Sequence, residues 1–398
     1  MGQSPSSSAC GEKPVGLPFL QGNAEFGDRY PRHLLFCSTP TKLCDKADIL
    51  LSVRAPVGEI NQADQAYVIG RGLAAVRFTK LPAAFGWHAL HFSAPALDRV
   101  AQGSTFTAVG RHEVESLLVP TFHPDECTRI ASVLDTLDAA IGNTDAVIAK
   151  LQQMRTGLVH DLLTRGLNED GHLRDPIVHP EQFKDSPIGR IPREWEIRTL
   201  SECVKSQITY GIVQAGPDLE GGVPYIRTGD MIGDELQVEA MLRTSHGIAA
   251  AYKRSEVHTE EIVCAIRATL GKVLQVPPAL DGANLTQGTA RIAPKPELNA
   301  RYILWALRSS SSQGQIAKQA KGTTFAEITL TDLRKLIIAV PNRRKEQDGI
   351  VSAIDAHEQI VRSEHAYHSK LLVLKSALET DLLTGRVRVP DSIASKAA

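Results

Sequence analysis

The chain carries one sequence pattern twice, and the spacing between the two copies constrains the fold. Residues 48–58 (DILLSVRAPVG) resemble residues 261–271 (EIVCAIRATLG) at a separation of 213 residues, and GSTF at 103–106 returns as GTTF at 322–325 after 219. From Ile130 and Ile350 onward the separation stays at 220. Loops tolerate insertions, whereas a continuous helix pair in register does not. Each half is therefore predicted to be a head of variable length followed by a helical arm of fixed length.

The arms have the periodicity of long helices. Apolar residues in the first arm recur at steps near three and four, at Leu134, Leu137, Ile141, Ile148, Leu151, Leu158 and Leu162. The same register in the second arm has polar residues Glu364 and Lys375, which correspond to Thr144 and Arg155 in the first. Two equal arms with apolar seams satisfy one another most simply as an intramolecular coiled coil. The alternative is a pair of amphipathic helices buried in a larger core.

The heads have a different pattern. Short apolar, β-branched runs closed by Pro or Gly predict strands at 49–53, 73–78, 262–266 and 336–340. Residues 301–307 and 312–320 predict short helices. The fold class predicted from these patterns is α+β, with irregular heads rich in turns.

Composition excludes several classes of protein. With 42% hydrophobic and 22% charged residues in 398, the chain is neither disordered nor collagen-like. The net charge of −1 indicates no strong field for nucleic acid or an anionic membrane. The six cysteines are scattered, which is typical of reduced thiols. The first residues lack a signal peptide and no stretch of about 18 apolar residues occurs, so we expect a cytoplasmic protein that does not contact membranes.

Several motifs together carry a resemblance to a known family. They are GQSP at 2–5, SVRAPVG at 52–58, GRG at 70–72, GTTF at 322–325, IPREW at 191–195 before Leu200, Pro124 with Glu126, and Pro341 with Glu346 and Gln347. With the order head, arm, head, arm, they resemble the specificity subunit of type I restriction-modification systems. The resemblance covers nearly the whole chain.

The resemblance implies two pseudo-symmetric α/β target-recognition domains separated by two long helices that form an antiparallel coiled coil. The predicted segments are target-recognition domain 1 (1–123, here head one), spacer helix 1 (124–166), a linker (167–190), target-recognition domain 2 (191–341, here head two), spacer helix 2 (342–388) and a tail (389–398). Antiparallel arms suit a bipartite double-stranded DNA site, since half-site spacing mirrors protein symmetry in dimeric DNA-binding proteins.

The family also implies partners. A specificity subunit works with two methylation (modification) subunits and with restriction/translocase subunits, which supply adenine methylation and ATP-dependent cleavage. Residues 1–120 hold 11 basic and 10 acidic residues, and residues 191–340 hold 17 and 16. Each head alone is therefore too weakly charged for strong non-specific DNA binding, and the partners are expected to supply the remaining positive charge.

Polar and arginine side chains near turns are the candidates for DNA contacts. Arg reads guanine bidentately and Asn or Gln reads adenine, while hydroxyl groups can donate to phosphates. Each candidate could equally be a solvated or turn-capping residue. The candidates are Gln3, Ser4, Gln21, Asn23, Arg54, Arg71 and Thr105 in head one, and Gln214, Arg227, Thr228, Asp230, Arg267, Lys272 and Thr324 in head two.

Head one departs from the family pattern at its start. Residues 191–210 of head two have no counterpart before Gly2, which corresponds to Gly211. We therefore expect head one to be truncated at its N-terminus and to lack an edge strand.

No catalytic set is present in the sequence. There is no GxxxxGK[ST] loop, no GxGxxG after a strand, and no Asn-Pro-Pro-Tyr or Asp-Pro-Pro-Tyr tetrapeptide. Cys37 with Cys44 and His33, or His88 with His91, fit no standard zinc spacing. We expect a non-catalytic subunit without a cofactor or metal. The alternative function is a coiled-coil adaptor whose heads bind protein rather than DNA.

Overall fold

A computed structural model describes residues 1–101, 108–239, 241–322 and 326–390 of the chain. Thr105 and Thr324, in the two Gly-Ser/Thr-Thr-Phe motifs, lie outside the described residues. The chain divides into two compact units. Unit 1 comprises Met1–Val147 and His365–Ala398, and unit 2 comprises Ile148–Glu364. This division cuts both arms, so the boundaries predicted between heads, linker, arms and tail stay predictions.

The helices differ greatly in length. They are α1 (Ala83–Ser93), α2 (Ala96–Val100), α3 (Arg111–Glu115), α4 (Pro124–Arg165), α5 (His246–Ala251), α6 (Ala300–Arg308), α7 (Ser310–Gln319), α8 (Leu330–Arg334) and α9 (Arg344–Leu383). The 42-residue α4 and the 40-residue α9 confirm the two long arms. Proline at the first position and acidic residues in the first turn favour the start of α4. Among the described helices, none is both long and apolar enough to span a bilayer.

Unit 1 holds two sheets. Its strands are β1 (Cys10–Gly11), β2 (Leu17–Leu20), β3 (Leu35–Cys37), β4 (Leu43–Cys44), β5 (Ile49–Ser52), β6 (Ile60–Gln62), β7 (Tyr67–Ile69) and β8 (Leu73–Val76). One sheet has the order β1-β3-β2-β7-β4 and the other the order β6-β5-β8. All four residues of β5 are buried, as its continuous apolar run predicts.

Unit 2 has the corresponding sheets and additional strand pairs. Its strands are β9 (Phe183–Ser186), β10 (Gly189–Pro192), β11 (Glu196–Thr199), β12 (Thr209–Tyr210), β13 (Val223–Ile226), β14 (Arg243–Thr244), β15 (Ile262–Ala265), β16 (Val273–Gln275), β17 (Asn284–Leu285), β18 (Thr289–Ile292) and β19 (Ile337–Val340). The sheets have the orders β12-β18-β15-β16 and β14-β13-β17, and β9 pairs with β10 and β11 with β19. The predicted strands and short helices of both heads are thus confirmed, with ends that differ by one or two residues.

The long helices pack antiparallel within each unit. In unit 1, Ile130 and Leu134 of α4 share a buried cluster with Leu382 and Leu383, at the far end of α9. The start of one helix therefore lies beside the end of the other, as an antiparallel coiled coil requires.

Unit 2 shows the same arrangement from the other ends of the helices. Leu162 and Leu163 of α4 lie in one cluster with Ile350 and Ile354 of α9. His357 is a polar residue in the seam of α9, and its Nε2 lies 2.9 Å from the carbonyl oxygen of Leu151 in α4. The seam between the helices therefore includes a polar contact.

One strand pair of unit 2 has no equivalent in the described part of unit 1. Strands β11 and β19 pair antiparallel, with Arg198 opposite Ile338. The residues that correspond to β19 at separations of 219 to 220, residues 117–121, form no strand. Ile338 is 2% exposed, whereas Leu118 in the corresponding segment is 89% exposed. In unit 2 this pair covers Ile338, whereas no strand covers Leu118 among the described residues of unit 1.

Candidate nucleic-acid interface

The hairpin between β5 and β6 carries Arg54 at its tip. The carbonyl oxygen of Ser52 accepts a hydrogen bond from Gly58 N at 3.0 Å, which closes the turn. The Ser52 hydroxyl donates to Pro56 O at 2.7 Å and accepts from Glu59 N at 2.9 Å. These bonds fix the backbone on both sides of the exposed Arg54.

Unit 2 repeats this hairpin between β15 and β16. Gly271 N donates to Ala265 O at 2.9 Å, and Ala265 N donates to Lys272 O at 2.8 Å. Arg267 is exposed at the tip, in the position that Arg54 has in unit 1. The repeated motif therefore presents one arginine from an equivalent, hydrogen-bonded turn in each unit.

A second loop lies beside each hairpin. In unit 1, residues 70–72 join the hairpin through a bond from Val53 N to Gly72 O at 2.9 Å. In unit 2, residues 286–288 do so through a bond from Ile266 N to Gly288 O, also at 2.9 Å. Arg71 and Gln287 hold the middle position of these loops, and both are exposed.

Glycine allows a third segment to approach each loop closely. A Cβ on Gly2 would clash with the carbonyl oxygen of Gly70, and a Cβ on Gly211 would clash with that of Leu285. The correspondence between Gly2 and Gly211, predicted from the repeat, is therefore a structural equivalence. The requirement is steric, because only glycine lets the two backbones meet.

In unit 1 these segments bring four candidate residues together. Ser4 Oγ accepts a hydrogen bond from Arg71 N at 3.2 Å, and Gln3 N donates to Ile69 O at 2.9 Å. The carbonyl oxygen of Gln21 lies within 3 Å of the space that a Cβ on Gly70 would occupy. Gln3, Ser4, Gln21 and Arg71 thus share one edge of head one.

Asn23 connects this edge to the hairpin. Its side-chain Nδ2 donates to Glu59 Oε2 at 2.7 Å, and Glu59 lies at the base of the hairpin that carries Arg54. The bond occupies one donor of Asn23, so the residue also has a structural function.

In unit 2, Arg227 and Asp230 bind each other. Arg227 donates to Asp230 from its backbone N at 2.8 Å, from Nε at 3.1 Å and from Nη2 at 2.6 Å. Asp230 is buried, and the hydrogen bonds it accepts raise the pKa of Arg227. The pair stabilises the turn at 228–230, in which the buried Asp230 carboxylate is already bound by Arg227 and Thr228 is half-buried.

The remaining candidates of head two lie apart from that turn. Gln214 is exposed. Lys272 lines a cleft of about 1320 Å³ in unit 2, together with residues 309–312 at the start of α7. Trp305 also lines this cleft, and the guanidinium groups of Arg155 and Arg308 lie 5.5 and 5.1 Å from its ring centroid. Burial lowers the pKa of Arg308.

Two residues beside these hairpins and loops are absent from the candidates predicted from the sequence. Gln287 corresponds to Arg71, and the signal that could have found it is a separation of 216 between GRG at 70–72 and TQG at 286–288. Glu327 forms an ion pair with Arg267, with 2.8 Å between Glu327 Oε2 and Arg267 Nε. No local pattern marks Glu327, because the pairing depends on two segments 60 residues apart.

A cluster in unit 1 resembles a metal site in composition only. Ligand atoms of His88, Asp135 and Asp138 lie within 4.8 Å of one another. However, Asp135 contacts His88 Nε2 at 3.1 Å and Arg29 at 3.6 Å, and Asp138 contacts Lys375 at 2.5 Å. The hydrogen bond from His88 lowers the pKa of Asp135. Protein cations already neutralise both carboxylates, so the donor set does not fit a metal ion.

Comparison with protein families gives one match over most of the chain. The model of the type I restriction modification DNA specificity domain matches residues 35–153 and 192–371.

Two relatives are named as specificity subunits of type I restriction enzymes. The chain is 36% identical over 166 residues to the putative type I restriction enzyme MjaX specificity subunit of Methanocaldococcus jannaschii, which covers 41% of this chain and 39% of that protein. It is 25% identical over 279 residues to the type I restriction enzyme EcoBI specificity subunit of Escherichia coli, covering 68% and 58%. The matches therefore span less than two thirds of the length of either relative.

Solved structures share the fold. The S subunit of a type I restriction-modification system from M. genitalium superposes with a TM-score of 0.56 at 16% identity, covering 96% of this chain and 92% of that one. A chain from a study of complex assembly and conformational transition of the type I system gives 0.57 at 16% identity, covering 93% and 92%. At this identity the likeness extends to the fold alone.

Proposed function

Because the chain belongs to the family of type I restriction modification DNA specificity domains, we propose that it is the specificity subunit of such a system and recognises DNA sequence through its two heads. The observation that carries the proposal is the repeated frame of hairpin, loop and close glycine contact. This frame presents Arg54 and Arg71 in unit 1, and Arg267 and Gln287 in unit 2, from equivalent backbone positions.

Each head reads one half of a bipartite site in double-stranded DNA. The frame is complete within each unit, so neither head needs loops from the other. Arginine and amide side chains can distinguish guanine and adenine in the major groove. The proposed contacts are the exposed or half-buried candidates Gln3, Ser4, Gln21, Asn23, Arg54, Arg71, Gln214, Arg227, Thr228, Arg267 and Lys272, with Gln287 added. Thr105 and Thr324 remain proposals from the sequence.

The chain acts with partner subunits. The family resemblance assigns adenine methylation to two modification subunits and ATP-dependent cleavage to restriction/translocase subunits. The near-neutral heads support this division, because phosphate neutralisation by basic residues supplies most of the affinity of proteins that bind DNA alone. The chain itself is proposed to be non-catalytic and to set where the partners act.

Sequencing of methylated adenines tests the proposal. The chain is co-expressed with its modification subunit in a host that lacks adenine methylation, and the host genome is sequenced for N6-methyladenine. We expect one bipartite motif, with methylation abolished when the chain is omitted. Replacing residues 191–341 by a head from another family member should change only one half of the motif. Methylation that does not depend on the chain, or a head exchange that changes both halves, would contradict the proposal.

A further inference from the structure

The tip arginines of the two hairpins occupy the same backbone position. Arg54 forms an antiparallel bridge with Ala108, and Arg267 forms one with Glu327. The next residues repeat the contact, since Val109 N donates to Val53 O at 3.0 Å and Ile328 N donates to Ile266 O at 3.1 Å. Ala108 is therefore the structural equivalent of Glu327.

The equivalent positions differ in charge. Glu327 Oε2 lies 2.8 Å from Arg267 Nε, and both side chains are about half exposed. Ala108 has no carboxylate, and no ion pair of Arg54 occurs among the residues that the structure describes. One arginine is therefore held by a carboxylate across the bridge, and the other is not.

An ion pair this exposed contributes little to folding. Its main effect is on geometry, because the bridge already fixes both backbones and the pair then restricts the plane of the guanidinium. Bidentate recognition of guanine requires such a fixed plane. A phosphate contact carries no sequence information, so it does not require the guanidinium to face the edge of one particular base.

We propose that Arg267 is a specificity-determining residue that reads a guanine in the half-site of head two, with Glu327 as its positioning residue, whereas Arg54 contacts a DNA phosphate. This inference rests on the proposed function and goes beyond it by assigning different tasks to two equivalent arginines. A carboxylate at Nε leaves the terminal nitrogens of Arg267 for the base.

The experiment uses the complex of the chain with its modification subunit and measures methylation at sites with single base changes. Arg267→Lys should reduce discrimination at one G·C pair of the head-two half by about 5- to 150-fold. Glu327→Gln should reduce discrimination at the same pair, while the double variant should lose no more than Arg267→Lys alone, because both act through one contact. Glu327→Asp should recover part of the discrimination.

Head one supplies the matched controls. Arg54→Ala should weaken binding equally at all sequences and reduce the slope of log K against log salt by about 0.9. Arg54→Lys should leave the sequence preference unchanged. Ala108→Glu should weaken binding, since it places a carboxylate beside a phosphate-binding arginine.

Thermal melting of each variant identifies loss of folding. If Glu327→Gln does not fold, Glu327→Asp and Ala108→Glu still test the two assigned roles. The inference is overturned if the head-two half-site has no G·C pair, or if Glu327→Gln and Arg267→Lys affect different positions or none. In those cases the wild-type complex would still methylate one bipartite motif, so the proposed function would stand.

Discussion

The first turns of α9 and α4 each carry a glutamate at the equivalent position, but the contacts of this glutamate differ between the two units. In unit 2, Glu346 accepts hydrogen bonds from Arg174 Nη1 at 2.5 Å, Trp195 Nε1 at 3.0 Å and Leu167 N at 3.0 Å. Arg174 is itself buried.

In unit 1, Glu126 is also buried, but its described ion-pair partner is Arg388, which is 74% exposed. Residues 167–195 supply three donors to Glu346. Glu346 is thus the centre of a buried hydrogen-bond network in unit 2, whereas Glu126 is one member of a half-exposed ion pair in unit 1.

The largest expected difference comes from removing these glutamates. Glu346→Ala leaves the buried Arg174 with only the exposed Glu194, at 3.7 Å, as an ion-pair partner, so the free energy of unfolding of unit 2 should fall by about 3 kcal/mol. Glu126→Ala should cost unit 1 about 1 kcal/mol or less, because Arg388 is solvated. Urea denaturation monitored by Trp fluorescence and by hydrogen exchange separates the units. Equal losses would mean that the three donors to Glu346 add nothing.

The strand pair of unit 2 predicts a difference between Ile338 and Leu118. Ile338→Ala should destabilise unit 2 by about 3 kcal/mol, because it leaves a cavity beside β11. Leu118→Ala should change the stability of unit 1 by less than about 0.5 kcal/mol, since the side chain is exposed. Thermal melts of the two variants provide the measurement. A large effect of Leu118→Ala would show that the side chain is covered in solution.

The glycines that end the long helices sharpen the comparison. Gly166 has φ of +63°, and a Cβ would lie 2.5 Å from both Glu346 Oε1 and the Trp195 ring. Gly385 has φ of +73°, but its Cβ would lie 3.1 Å from the Phe122 ring.

Both Gly→Ala variants incur the left-handed penalty of about 1 to 2 kcal/mol. Gly166→Ala should cost about 1 to 2 kcal/mol more, because it also overpacks a charged network. Denaturant midpoints check this order, and the reverse order would contradict it.

The smallest effect concerns acid stability in unit 1. The hydrogen bond from His88 holds the pKa of Asp135 below its ordinary value of 3.8. Its contribution to stability is therefore complete above about pH 4 and is lost as the pH falls through the lower folded value. Asp135→Asn should reduce the loss of unfolding free energy at acid pH. The reduction should be less than about 1 kcal/mol, because the carboxylate is over one third exposed. Stability measured from pH 5 to pH 2.5 provides the test, and an unchanged slope would exclude the contribution.

Periodicity and repetition predicted much of the molecule. The seam of the arms predicted α4 and α9, and apolar runs predicted β5, β8, β15 and β19, because burial of one face imposes a period on the sequence. The repeat also paired Gly2 with Gly211 and Arg54 with Arg267. The candidate residues were harder to rank, since local sequence does not show whether a polar side chain is already bound.

The sequence by itself therefore determined the duplicated architecture, the long helices and the family to which the chain belongs. Only the tertiary structure decided that Arg227 is bound by Asp230, and that Glu327 forms an ion pair with Arg267 whereas Ala108 at the equivalent position offers Arg54 no carboxylate. The physical reason is that helices and strands arise from periodic patterns along the chain, whereas the partner of a charged side chain is set by segments that meet only when the sheets have formed.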